Sequence, residues 1–212
     1  MPQDQLSSFF TAVVFKSGIN RYNRKDGGKE MNRVMDTDEL KKRWNEMDEE
    51  ARIRMICMLY QRSADAGRMI DAELLGSAYP RRLFERARKQ LHQCFFPEDE
   101  IRGFSLNHAK EIVTAFQEQC DDPGLIAELK LCFAQYAVQL DHQAGEFYER
   151  YYAVTARMYE EAASAAAQDR TLFQRLRPQL EQVMSDSQTM GWGLGEFIQE
   201  AYRSMLKQIE ES

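Results

Sequence analysis

Histidine is the side chain that most readily changes charge near neutral pH, and the chain has three: His92, His108 and His142. His142 and Glu146 stand four residues apart, a spacing that puts both on one face of a helix. Asp141 and Glu149 lie close by. Carboxylate and imidazole groups gathered in this way are a candidate site for a divalent metal. A di-metal helical bundle, however, takes Glu-x-x-His pairs from two of its helices. The residues three before His92, His108 and His142 are Lys89, Ser105 and Gln139, so the pattern fails at each, and no metal or other cofactor is expected.

Nucleophilic catalysis finds no better foothold. The chain lacks a Gly-x-Ser-x-Gly elbow, and the one cysteine beside a histidine is Cys94, in His92-Gln93-Cys94. Two positions apart on a helix, those side chains point about 200° apart, so the base does not reach the thiol. Cys57, Cys94, Cys120 and Cys132 are separated by 37, 26 and 12 positions, unlike the close pairs of zinc and redox sites. Each sits in an apolar periodic stretch and reads as a small hydrophobe, which fits a reducing cytoplasm. Runs such as Asp48-Glu49-Glu50 and Glu160-Glu161 read as solvated helix faces, since an acid–base pair needs pKa values driven apart by burial. Gly191-Trp192-Gly193-Leu194-Gly195 has neither the preceding strand nor the Lys-Ser or Lys-Thr of a phosphate loop. It reads as a helix start that lets Trp192 pack. No catalytic residue is assigned.

Charge and aromatic patterning say more. Residues 1–106 carry 19 basic and 17 acidic side chains, whereas residues 107–212 carry 9 and 17. The first half is thus mildly positive and the second strongly negative. One basic cluster, Arg21, Arg24, Lys25, Lys29 and Arg33, lies in a polar, turn-rich stretch; another, Arg81, Arg82, Arg86, Arg88 and Lys89, has helical spacing. On a helix Arg81 and Arg88 make one stripe and Arg82, Arg86 and Lys89 a second beside it. Such a face suits an acidic protein surface or a phosphate backbone. Farther along, Phe147, Tyr148, Tyr151, Tyr152 and Tyr159 make an aromatic band wider than one packing face needs. Tyrosine buries area at low entropy cost and keeps a polar tip, so Tyr148, Tyr151, Tyr152 and Tyr159 are candidates for a protein interface; the alternative is a helix central to its own domain and covered on both sides.

Helical periodicity must position these groups. Leu6, Phe9, Phe10, Val13 and Val14 stripe a first helix over 3–16. Asp36 with Glu39 resembles a capping box, opening a helix to about residue 64 along Leu40, Trp44, Met47, Ala51, Met55, Met58 and Leu59. Shorter helices are predicted over 66–75, ended by Gly76; from Pro80 to Phe95; and from Ser105 or Asn107 to Cys120. Asp121-Asp122-Pro123-Gly124 is a stop and restart. From Leu125 to about Ala167 no proline intervenes, and only Gly145 interrupts strong helix formers. That predicts one helix about 60 Å long, with Gly145 the place where it can bend. A helix over 172–184 carries Pro178, a point for a kink or a fresh start, and a last helix follows the glycine-rich segment.

The 212 residues include 12 Phe, 9 Tyr and 2 Trp, enough apolar area to build a core. Net charge is −6, which argues against a protein made chiefly to coat nucleic acid. The longest early apolar stretch, 9–15, is too short to span a bilayer. The expected fold is therefore all-α: a bundle of seven or eight helices organised around the long helix near 125–167. It forms a single domain over 1–212, with a possible division into a mildly basic half, 1–120, and an acidic half, 121–212. The expected function is that of a non-enzymatic, cytoplasmic interaction or adaptor protein that self-associates as a homodimer, contacting an acidic partner through Arg21, Arg24, Lys25, Arg81, Arg82, Arg86 and Lys89. One alternative is a nucleic-acid-associated regulator using the loop 21–33 and the helix 81–89. Another is a helical enzyme or small-ligand binder whose pocket desolvates His142 or Glu146.

Overall fold

The computed structural model describes residues 35–98, 103–145 and 147–211. The expected helix over 3–16, the basic loop with Arg21, Arg24 and Lys25, and Glu146 lie outside the described residues. The described chain is all-α, and no strand occurs in it. It divides into two compact units, Met1–Tyr79 and Pro80–Ser212. The charge boundary near 120 runs inside the second unit, at the turn before its central helix.

In the first unit, α1 (Thr37–Glu46) starts where Asp36 accepts hydrogen bonds from the backbone N–H groups of Asp38 and Glu39 at 2.9 and 2.8 Å. These are donors that the first helical turn leaves without partners. The expected continuation to residue 64 is broken at Met47, because Asp48 caps a new helix through the Ala51 N–H at 2.6 Å. That helix is α2 (Glu49–Arg62), and its Arg52 donates back to the carbonyls of Trp44 and Asn45 at 3.0 and 3.1 Å. One guanidinium thus satisfies the open C-terminal end of α1. Ser63 caps α3 (Ala64–Leu75), which ends at Gly76, as the sequence predicts. The apolar residues of α1 and α2 were expected to bury one face. Of the expected stripe, Trp44, Met47, Ala51 and Met55 are half-buried and Leu40, Met58 and Leu59 exposed, and Gly67 is the one buried position among the described residues of this unit.

The second unit opens with α4 (Tyr79–Phe95), which buries Leu83, Phe84, Ala87, Leu91 and Phe95. Ser105 caps α5 (Leu106–Gln119). Asp122 caps α6 (Pro123–Ala144) through the N–H groups of Gly124 and Leu125, with Pro123 in the first turn. There the long helix of the sequence reading is corrected. At Gly145 the backbone takes φ 86° and ψ −167°, a conformation open essentially to glycine alone, and the chain reverses into α7 (Glu149–Gln168). Lys130 and Glu161 pair at 2.6 Å, and the Tyr151 hydroxyl donates to the Ala137 carbonyl at 2.6 Å. These two ties show α7 running back along α6.

Asp169 then caps α8 (Arg170–Asp186), which continues through Pro178 rather than restarting there. Pro178 and Gln174, whose carbonyl loses its helical donor, are both exposed, so the break in the hydrogen-bond ladder falls on the solvent side of α8. Contacts of α8 with α6 advance in step along both helices: Arg175–Glu128 at 3.6 Å, Gln179–Gln135 at 2.7 Å and His142–Asp186 at 2.8 Å. The two are therefore parallel. The last helix, α9 (Leu194–Glu211), returns along α8 with Tyr202 on Glu181 at 2.9 Å. Helices α6 to α9 thus alternate in direction as a four-helix bundle. α4 packs on α6 through side chains, tied by Arg81–Glu128 at 3.2 Å and by Phe95 edge-on to Phe133, centroids 5.1 Å apart.

Candidate functional site

The aromatic band of α7 faces inward. Tyr151, Tyr152 and Tyr159 are 1%, 2% and 0% exposed. Their hydroxyls donate to the Ala137 carbonyl, to Asp141 Oδ1 at 2.6 Å and to the Leu180 carbonyl at 3.1 Å. Burial drives the Tyr151 and Tyr159 phenols well above their ordinary range. Phe147 stacks on Tyr151, with Phe104 edge-on beside them. Since α7 touches α6, α8 and α9, a band wider than one face is what a helix enclosed on several sides requires. Tyr151, Tyr152 and Tyr159 are thereby removed as interface residues, and Tyr148, 55% exposed, alone of the four stays accessible.

The cationic face of α4 divides. Arg81 is held by Glu85 at 2.8 Å and by the half-buried Glu128, with its guanidinium 4.6 Å above the Phe84 ring. Arg88 pairs with the other oxygen of Glu85 at 2.8 Å. This stripe is paired by the chain's own carboxylates at the surface, which takes Arg81 out of the set of unpaired cations. Arg82, Arg86 and Lys89 are exposed and enter no ion pair among the described residues. At positions i, i+4 and i+7 they form one line of positive charge.

Beside that line a groove of about 530 Å³ runs between α4 and α5. Leu83, Ala87 and Phe116, each at most 5% exposed, reach its floor. Arg86, Gln90 and Gln93 line the α4 side, while His108, Glu111 and Gln119 line the other. The groove thus joins an apolar floor to a rim rich in hydrogen-bonding side chains. Arg86 belongs to both the stripe and the groove. Sequence reading marked the arginines but not the groove, because the pairing of α4 with α5 is tertiary. The one hint was Gln90 and Gln93 continuing the helical line of Arg86.

The other candidates fall apart. His142 is exposed and directs Nε2 at the Asp186 carbonyl, 2.8 Å away. That carbonyl only accepts, so Nε2 carries the proton. The histidine ties α6 to α8 and is not desolvated in a pocket. His92 is taken up against the rings of Phe96 and Tyr136. Among the described residues no group of three or more His, Cys, Asp or Glu side chains is placed to hold a metal ion, and no helix is long and apolar enough to cross a membrane. The four cysteines are unbridged, and burial raises the Cys132 thiol. Trp192, expected to pack, is instead 63% exposed.

The described chain is thus an all-α protein with an open groove between α4 and α5, lined by Arg86 on one side and Glu111 on the other. Comparison with protein-family models, with curated proteins and with solved structures finds no match to this chain.

Proposed function

We propose that this chain is a non-enzymatic helical interaction protein, an adaptor, whose contact face is the α4 stripe together with the α4–α5 groove. The observation that carries this reading is the conjunction at Arg86: of three exposed cations without ion pairs among the described residues, it also lines a groove with an apolar floor. Exposed charges draw a partner in and set its register, while desolvated apolar contact supplies most of the affinity. The partner that fits is an amphipathic segment with apolar side chains on one face and carboxylates on its flank.

A fluorescein-labelled helical peptide with leucines at its a and d positions and glutamates elsewhere is the probe. Its anisotropy is expected to rise to saturation with added protein and to weaken as salt is raised. The triple change Arg82→Glu, Arg86→Glu, Lys89→Glu is expected to weaken it by at least about tenfold without lowering the melting temperature. No saturable binding, or binding indifferent to the triple change, overturns the reading. A mixed-sequence duplex that binds more tightly than the peptide, with a steep salt dependence, transfers the same stripe to nucleic acid.

A further inference from the structure

Among the described residues of the second unit, the exposed large apolar side chains are Tyr148, Trp192 and Phe197. All three are aromatic, and all lie at one end of the four-helix bundle. Tyr148 precedes α7, and Trp192 and Phe197 flank the start of α9. The His142–Asp186 bond joins the two helix ends from which these connections leave. Trp192 also has φ 58°, left-handed backbone that a bulky side chain adopts at a cost. A glycine there would relieve the strain, and with 63% of its surface in water the indole gains little packing in return. Strain held at an exposed anchor points to a role outside the chain's own core.

The turn that carries it is well fixed. Met190 donates to the Ser187 carbonyl at 3.1 Å and Leu194 to that of Gly191 at 3.2 Å. A Cβ on Gly195 would stand 2.7 Å from the Ser187 carbonyl oxygen, so α9 meets the end of α8 backbone to backbone. The indole is therefore presented on a rigid support, which lowers the ordering cost of binding.

The charge around it identifies what it meets. Four carboxylates stand near it: Glu181 pairs with Arg177 at 2.8 Å and Glu200 with Arg203 at 3.7 Å, while Asp186 and Glu196 enter no ion pair among the described residues. An acidic, aromatic end is the complement of the α4 face described above. We infer that the chain associates with itself head to tail: the Trp192 turn of one copy seats in the α4–α5 groove of another, with Arg86 against the indole and Arg82 and Lys89 facing the acidic flank. This rests on the proposed reading of α4 and names its partner as a second copy. Guanidinium over indole is a favourable cation–π pair, and tryptophan and arginine are the residue types most often dominant in interfaces. Because the two surfaces differ, the contact is heterologous, and assembly continues past two copies unless a ring closes.

Sedimentation from micromolar to millimolar concentration tests it in the full chain. The wild type is expected to grow with concentration, and less so at high salt. Trp192→Gly, which removes the anchor and relieves the backbone, and Arg86→Glu, on an exposed position, are each expected to weaken association by about thirtyfold or more. Mixed together, they are expected to form a one-to-one dimer that grows no further, since the first retains a groove and the second an indole. Association of Trp192→Gly equal to wild type, or a mixture that stays monomeric, overturns the inference. A wild type that stays monomeric yet binds the acidic peptide also overturns it while leaving the reading of α4 intact. Loss of both removes that reading as well.

Discussion

Glu161 shows how a single side chain ties stability to pH. Burial alone would raise its carboxyl, but hydrogen bonds from Lys130 and Arg157 hold it below the ordinary range. A depressed folded-state value stabilises the fold above the unfolded value, near pH 4.3, and that contribution is lost as pH falls through the folded value. Glu161→Gln is therefore expected to cost about 1 kcal/mol at neutral pH and to flatten the fall in unfolding free energy between about pH 5 and 3, read by urea titration at each pH. Tyr159 makes the opposite case, a residue whose sequence context suggested a surface role and whose burial is complete. Tyr159→Ala is expected to cost about 3–5 kcal/mol in the same measurement, where loss of an exposed interface residue would cost almost nothing. Trp192→Gly is expected to leave stability unchanged or raised by up to about 1 kcal/mol, the left-handed strain removed being offset in part by the glycine's freedom when unfolded.

At the scale of elements, several starts and stops were legible where a residue enforces them locally. Asp36, Ser105, Asp122 with Pro123, and Gly76 each act within three or four residues, so their types and order sufficed. The break after Met47 was missed because Asp48 looked like part of an acidic run, although its carboxylate caps α2. The reversal at Gly145 was read as a bend for a different reason. A glycine among good helix formers permits a turn, and only the packing of α7 along α6 decides for one. Gly145→Ala should expose this balance. Alanine disfavours φ 86°, so the variant is expected either to lose about 1–3 kcal/mol or to straighten α6 into α7 and exchange that helix with a second copy. Sedimentation separates the two, and a swapped dimer would survive Trp192→Gly where a head-to-tail one would not. The groove was illegible for a related reason. Its floor residues follow the ordinary core periodicity of α4 and α5, and nothing local marks the seam between them as open.

For the whole molecule, the two units differ in how their apolar residues are used. The second encloses Phe84, Phe95, Phe133, Tyr151, Tyr159 and Ile198 almost completely, whereas α1 to α3 leave Ile53, Met58, Leu59, Leu74 and Leu75 in contact with water. Amide exchange is expected to follow this difference. Backbone N–H groups in the middle of α6 and α7 should exchange at least about a hundredfold more slowly than those of α1 to α3, a contrast that mass spectrometry of peptic fragments resolves. The exposed turn before α9 has an optical corollary. The chain has two tryptophans, Trp44 half-buried in α1 and Trp192 largely in water, so emission from the folded protein begins already shifted toward long wavelength. Unfolding would move that spectrum little, but any event that withdraws water from position 192 would shift it blue and shield it from iodide, giving the protein a native, label-free signal of what lands on that end.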